Sequence, residues 1–313
     1  MLEIKNLYFS YDGVPVLTDV SFCMSAGENL AVIGESGCGK STLLKLIYGV
    51  YDANSGSINY NGMPVSGPSS SLIPGADYVR YLPQDFGLMP YITAGENVGK
   101  FLSNTNRSKK NGRIAELLDI VGMADYINVK PHYLSGGQQQ RIALAMVLAP
   151  EPELLLLDEP FSQIDAFRAN TLRRNLFGFF AENKISCIVA THNSADFLPF
   201  SNKILSLKDG RPTVFGETKS VYDNPPDFYT ASLFGDVNEI PADWLSAGRG
   251  SVLVYPHNVF ETDNGITAIV TDCYFNGSNF LVRASVKQTP VVYLSQFPRS
   301  NGEQVTIGFK ANR

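Results

Sequence analysis

Eight consecutive residues, Gly34-Glu35-Ser36-Gly37-Cys38-Gly39-Lys40-Ser41, constrain this chain more than any other stretch. They fit the pattern G-x-x-x-x-G-K-[ST] and follow a short apolar run, Asn29 to Ile33. After them, Leu43, Leu44, Leu46 and Ile47 mark the apolar side of a helix that ends near Gly49. The order is therefore strand, loop, helix. Glycines let backbone N–H groups wrap closely around a phosphate, and the following helix adds the positive end of its dipole. Lys40 is expected to reach the β and γ phosphates of a nucleotide, and Ser41 to ligate Mg²⁺. Glu35, Ser36, Cys38 and Thr42 complete the expected lining.

Further strands can be read around this unit. Leu154 to Leu157 is apolar throughout, as expected of a strand buried on both faces. A strand at Cys187 to Thr191 follows a helical stretch carrying Leu172, Leu176 and Phe179. Alternating strands and helices argue for a parallel sheet. Shorter β-like pieces, Leu2 to Tyr8 and Val14 to Val20, open the chain. Between Pro90 and Pro131 the pattern is helical: Thr93 and Glu96 form a capping box, and Ile114, Leu117, Leu118 and Val121 share one face. Asp158 ends the all-Leu strand, where parallel sheets bind ligands, and is the natural second Mg²⁺ contact. Glu159, next along, can polarise or deprotonate an attacking water.

Composition sets outer limits. A length of 313 residues suggests about two domains. The 25 basic and 30 acidic residues give a net charge of −5, which argues against a broad nucleic-acid-binding surface. No apolar run approaches the ~18 residues of a membrane span, and no signal peptide is visible. The four cysteines lack metal-ligand spacing, which fits a reducing cytosol. Cys38, beside Lys40 and a helix N-terminus, is expected to be a reactive thiol. Cys23, Cys187 and Cys273 fall on expected strands and should be buried. Asn224-Pro225-Pro226 marks a break. Beyond it, five short strand candidates (251–255, 267–275, 280–286, 291–294 and 305–309) suggest a small β-barrel.

Leu134-Ser135-Gly136-Gly137-Gln138-Gln139-Gln140-Arg141 resembles the signature motif of ATP-binding cassette (ABC) ATPases. The resemblance implies an α/β phosphate-loop nucleotide-binding domain over residues 1–230, with a helical subdomain at about 86–135. A linker at 231–245 and a small all-β, OB-like regulatory domain at 246–313 would follow, similar to importer ATPases of the maltose, ferric-iron, polyamine and sulfate type. Within such a cassette, Ser135, Gly136, Gly137 and Gln138 would hold ATP bound to a second copy, in a head-to-tail dimer. Tyr11 would stack on adenine, with Tyr8 and Phe9 as rivals. Gln84 matches the Q-loop glutamine that contacts Mg²⁺ or water, and Asp165 belongs to a D-loop in which Gln163 departs from the usual residue. His192 matches the switch histidine that meets the γ-phosphate. The implied function is ATP hydrolysis driving import through separate integral membrane permease subunits, fed by a substrate-binding protein, on the cytoplasmic face of the membrane. The segment 86–91 would dock the permease. The alternatives are a non-transport or an exporter-associated ABC ATPase.

Overall fold

The computed structural model describes residues 1–245 and 250–310, in two compact units, Met1–Glu217 and Thr218–Arg313. The first unit opens with β1 (Leu2–Tyr11) and β2 (Val14–Met24). They are joined at Asp12-Gly13, where φ values of 48° and 82° give the two-residue hairpin turn that favours Asp-Gly. Then come β3 (Asn29–Ile33), α1 (Lys40–Tyr48), β4 (Ser55–Tyr60), β5 (Met63–Pro64) and β6 (Val79–Leu82). The helical stretch follows as α2 (Ala94–Val98), α3 (Arg107–Ile120) and α4 (Gly136–Leu148). The unit closes with β7 (Leu154–Asp158), α5 (Ala166–Glu182), β8 (Ser186–Thr191), β9 (Lys203–Lys208) and β10 (Arg211–Glu217).

Two sheets result. One is antiparallel, ordered β2-β1-β4-β5; the other is ordered β10-β9-β3-β8-β7-β6, and only β10 runs antiparallel to its neighbour. Strand β7 shows why its sequence is uniformly apolar. Leu154 and Leu156 join a core with α1 and the antiparallel sheet, while Leu155 and Leu157 join one with α4 and α5. The Thr93–Glu96 capping box is present at the start of α2. Ile114, Leu117, Leu118 and Val121 are all buried, which fixes the inward face of α3.

The second unit begins with α6 (Thr218–Asp223) and α7 (Phe228–Ser232). The division therefore falls ahead of residue 230, because Tyr222 of α6 stacks on Tyr255 with ring centroids 4.6 Å apart. The stretch 231–245 is structured: it holds the end of α7, β11 (Asn238–Pro241) and a 3₁₀ turn. Next come β12 (Ser251–Val254), β13 (Val259–Phe275), β14 (Phe280–Val286), β15 (Thr289–Ser295) and β16 (Gln304–Phe309). Strands β11 and β12 form one antiparallel sheet, and β15-β14-β13-β16 form the other. The Asn238 side chain ties them by donating to Val292 O (2.8 Å) and accepting from Val292 N (2.7 Å). One core, including Ile240, Val254, Val282 and Tyr293, serves both sheets.

Candidate active site

The functional side chains collect at the carboxyl ends of three neighbouring parallel strands. Ile33 of β3 pairs with Thr191 of β8, and Asp158 of β7 pairs with Ala190 of β8. The loop 34–39, His192 and the Asp158-Glu159 pair therefore leave the sheet side by side.

Within the loop, glycine is required by both angle and space. Gly34 has φ 148°, and a Cβ there would collide with the Leu207 carbonyl oxygen and Cys38 Sγ. Gly39, at φ 104°, is the N-cap of α1, whose first-turn N–H groups have no intrahelical acceptor. Lys40 is 6% exposed, and its Nζ donates to Gly34 O (2.7 Å) and Glu35 O (2.8 Å). Ser41 Oγ donates to Asp158 Oδ1 (2.9 Å). A hydroxyl and a buried carboxylate at that separation form an all-oxygen donor pair, which suits a hard cation such as Mg²⁺. Tyr11 Oη lies 3.4 Å from Thr42 Oγ1, and the ring sits edge-on to Phe9 and Tyr51. Phe9 is buried, so of the rival aromatics it is closed to stacking.

Glu159 has φ 49°, in the left-handed region that bulky residues avoid. Its carboxylate accepts from His192 Nδ1–H at 2.8 Å and, more weakly, from Thr191 Oγ1 at 3.4 Å. The Thr191 hydroxyl is nearer Asp196 Oδ2, at 2.8 Å. Asp196 is itself buried in an ion pair with Arg173 of α5.

Ser135 and Gln138 form a reciprocal capping box at the start of α4: Ser135 N donates to Gln138 Oε1 (2.9 Å) and Gln138 N to Ser135 Oγ (3.4 Å). Gly136 and Gly137 pack flush against Gln163, where a Cβ on Gly137 would collide with its backbone carbonyl oxygen. Close approach is thus a second reason for glycine in this motif. Asp165 caps α5, accepting from Arg168 N at 3.0 Å. Gln84 lies in the exposed turn after β6, and the hydrogen-bonded group around Asp158 does not include it.

Three roles in this arrangement escape sequence reading: those of Tyr81, whose hydroxyl donates to Asp158 Oδ2 (3.2 Å), of Asp196, and of Gln140, which stands in the signature run without a part assigned to it. The signal for Tyr81 was slight, a tyrosine three residues before Gln84 on a strand otherwise apolar at its ends.

The cysteine expectations need correcting. Burial pushes the Cys38 thiol up, and this outweighs the attraction of Lys40 for the thiolate, so Cys38 is not activated. Cys23 is exposed rather than buried, because it falls between the inward-facing Phe22 and Met24 on β2. Cys187 is buried and Cys273 partly so.

A family model described as ABC transporter matches residues 17–162. The chain is 37% identical over 302 residues to the Fe(3+) ions import ATP-binding protein FbpC 1 of Rhodococcus jostii, covering 90% of this chain and 86% of that one. The chain belongs to the ATP-binding cassette family. The cassette is also 34% identical over 240 residues to the putrescine transport ATP-binding protein PotG of Escherichia coli, covering 76% of this chain and 63% of that one. Among solved structures it is similar to a dimeric, post-hydrolysis ATP-binding cassette bound to ADP and Pi. The TM-score there is 0.63 at 27% identity, over 70% of this chain and 99% of that chain. As a cassette, the chain is an ATPase, and the loop 34–41 belongs to the segment that defines the family. Among the described residues no helix is long and apolar enough to cross a membrane.

Proposed function

We propose that this cassette is the ATP-hydrolysing subunit of an import transporter, working as a head-to-tail dimer against separate membrane permease subunits on the cytoplasmic face. The observation that carries the chemistry is the position of Glu159. It directly follows Asp158, which is bonded to the phosphate-loop Ser41, and its carboxylate is bonded to His192. Lys40 and the N-terminus of α1 bind the β and γ phosphates, with Tyr11 beside the adenine. Ser41 and Asp158, with Gln84 brought in on closure, hold Mg²⁺, which supplies charge neutralisation of the phosphates. Glu159 accepts a proton from the attacking water, and His192 steadies that carboxylate and faces the γ-phosphate. Ser135 to Gln138 and Asp165 complete the site of the second copy. FbpC and PotG, similar over three quarters of this chain or more, support import, with ferric iron or a polyamine as cargo delivered by a substrate-binding protein.

Glu159→Gln tests the chemistry. The variant should bind ATP, lose about 10²- to 10⁴-fold in turnover, and accumulate as a dimer in size-exclusion chromatography with ATP and Mg²⁺. Turnover at the wild-type rate would remove Glu159 from the mechanism. Import is tested by co-purification with permease subunits and ATP-dependent uptake of Fe³⁺ or putrescine into vesicles; efflux in the same vesicles would refute it.

A further inference from the structure

We propose that Gln140 is a positioning residue for ATP hydrolysis: it fixes the backbone of Glu159, and so the direction of its carboxylate, from the helix that carries Ser135. The inference rests on the role proposed above for Glu159.

Gln140 lies five positions after Ser135 on α4 and is 1% exposed. Its Nε2 donates to the Glu159 carbonyl at 2.9 Å, and its Oε1 accepts from Gln163 N at 3.0 Å. One buried amide therefore spans the segment between Glu159 and the turn before Asp165.

The backbone it holds is strained. Glu159 adopts φ 49°, and a non-glycine residue keeps such an angle only where its surroundings over-determine it. Four contacts do so here. Glu159 N donates to Ala190 O on β8 (2.9 Å), and Glu159 O accepts from Gln140 Nε2, from Ser162 Oγ (3.0 Å) and, more weakly, from Ser162 N (3.3 Å). Only the Gln140 contact comes from outside the strands and the turn that Glu159 belongs to. Without it, the Glu159 carbonyl is held only from within its own turn, by Ser162, which lowers the resistance to rotation toward the ordinary right-handed region and to the swing of the carboxylate away from His192.

The same helix start is packed on the same turn, because Gly136 and Gly137 admit Gln163 with no side chain between. The residues that meet ATP on a second copy and the acid beside the first ATP thus share one hydrogen-bonded block. A displacement of Ser135 is felt at Glu159 through Gln140, which gives the two sites of a dimer a short physical link.

The test is a double-mutant cycle in the full-length chain, with ATP affinity by titration and hydrolysis by single turnover. Gln140→Met keeps the volume and removes both hydrogen bonds. It should leave ATP affinity within about twofold and lower the rate at least 10-fold. In a Glu159→Gln background it should change the residual rate by less than twofold, since a residue acting through Glu159 has nothing further to remove. Gln140→Glu is the second variant. Its ionised carboxylate can accept from Gln163 N but cannot donate to the Glu159 carbonyl, so its rate relative to wild type should rise as pH falls and the carboxyl becomes a donor. A wild-type rate in Gln140→Met overturns the proposal. So does an equal fold-loss in both backgrounds, or a flat pH ratio in Gln140→Glu. Absence of ATP hydrolysis by the unmodified protein would instead strike the proposed function itself.

Discussion

Removing Asp196 should be among the most damaging single changes in the first unit, although the residue touches no phosphate. Its carboxylate is paired with Arg173 and accepts the Thr191 hydroxyl at 2.8 Å, and the Asp196 and Arg173 side chains are 3% and 6% exposed. Asp196→Ala strands a guanidinium that, among the described residues, retains Asn170 Oδ1 (2.8 Å) and the Phe161 ring (5.1 Å) as polar or π partners. Breaking one side of a buried ion pair costs about 3–5 kcal/mol, because the remaining charge stays out of water. At about 2–4 °C per kcal/mol for a unit of this size, the thermal midpoint should fall by about 6–20 °C. Replacing both members by apolar groups of similar volume, Arg173→Met with Asp196→Leu, should recover most of that loss. The assay is urea unfolding followed by far-UV circular dichroism. The single tryptophan, Trp244, lies in the other unit, so its fluorescence serves as an internal control. A loss below about 1 kcal/mol in Asp196→Ala would refute the reasoning, since it would mean the pair is not desolvated.

Two further outcomes can be checked quickly. Maleimide should modify Cys23 first and spare Cys38, which is buried and whose thiol is pushed up by that burial, so Cys23→Ser should abolish the fast labelling phase while hydrolysis survives treatment in both proteins; fast loss of hydrolysis in Cys23→Ser would contradict the burial of Cys38. A chain ending after Glu217 should fold and bind ATP, because the phosphate loop, the signature helix and the Asp158 strand all belong to the first unit; a soluble, folded truncation that fails to bind would show that the second unit completes the site.

The parts legible in the sequence were those whose physics is local. Glycines at fixed offsets before Lys40, an all-leucine run ending in Asp158, and a helical stripe through Ile114 and Leu117 each state their geometry within a few residues. The side of β2 on which Cys23 falls was legible too, through the alternation of Phe22 and Met24, but strand membership alone does not give it. Long-range polar pairs were not legible. Tyr81 meets Asp158, Arg173 meets Asp196, and Gln140 meets Glu159 across separations that no periodicity spans. In the second unit, β11 went unread because its four residues pair with β12 from within a stretch whose composition resembles a linker.

The left-handed backbone at Glu159 also bears on how such a cassette responds to selection. At that angle glycine carries no Cβ penalty and asparagine a reduced one, so either should raise stability by about 1 kcal/mol while removing the acid. A library screened for heat resistance alone would drift toward a sturdier, inactive protein at this position. Keeping glutamate there requires that survival depend on turnover, and the strain is a record of that requirement.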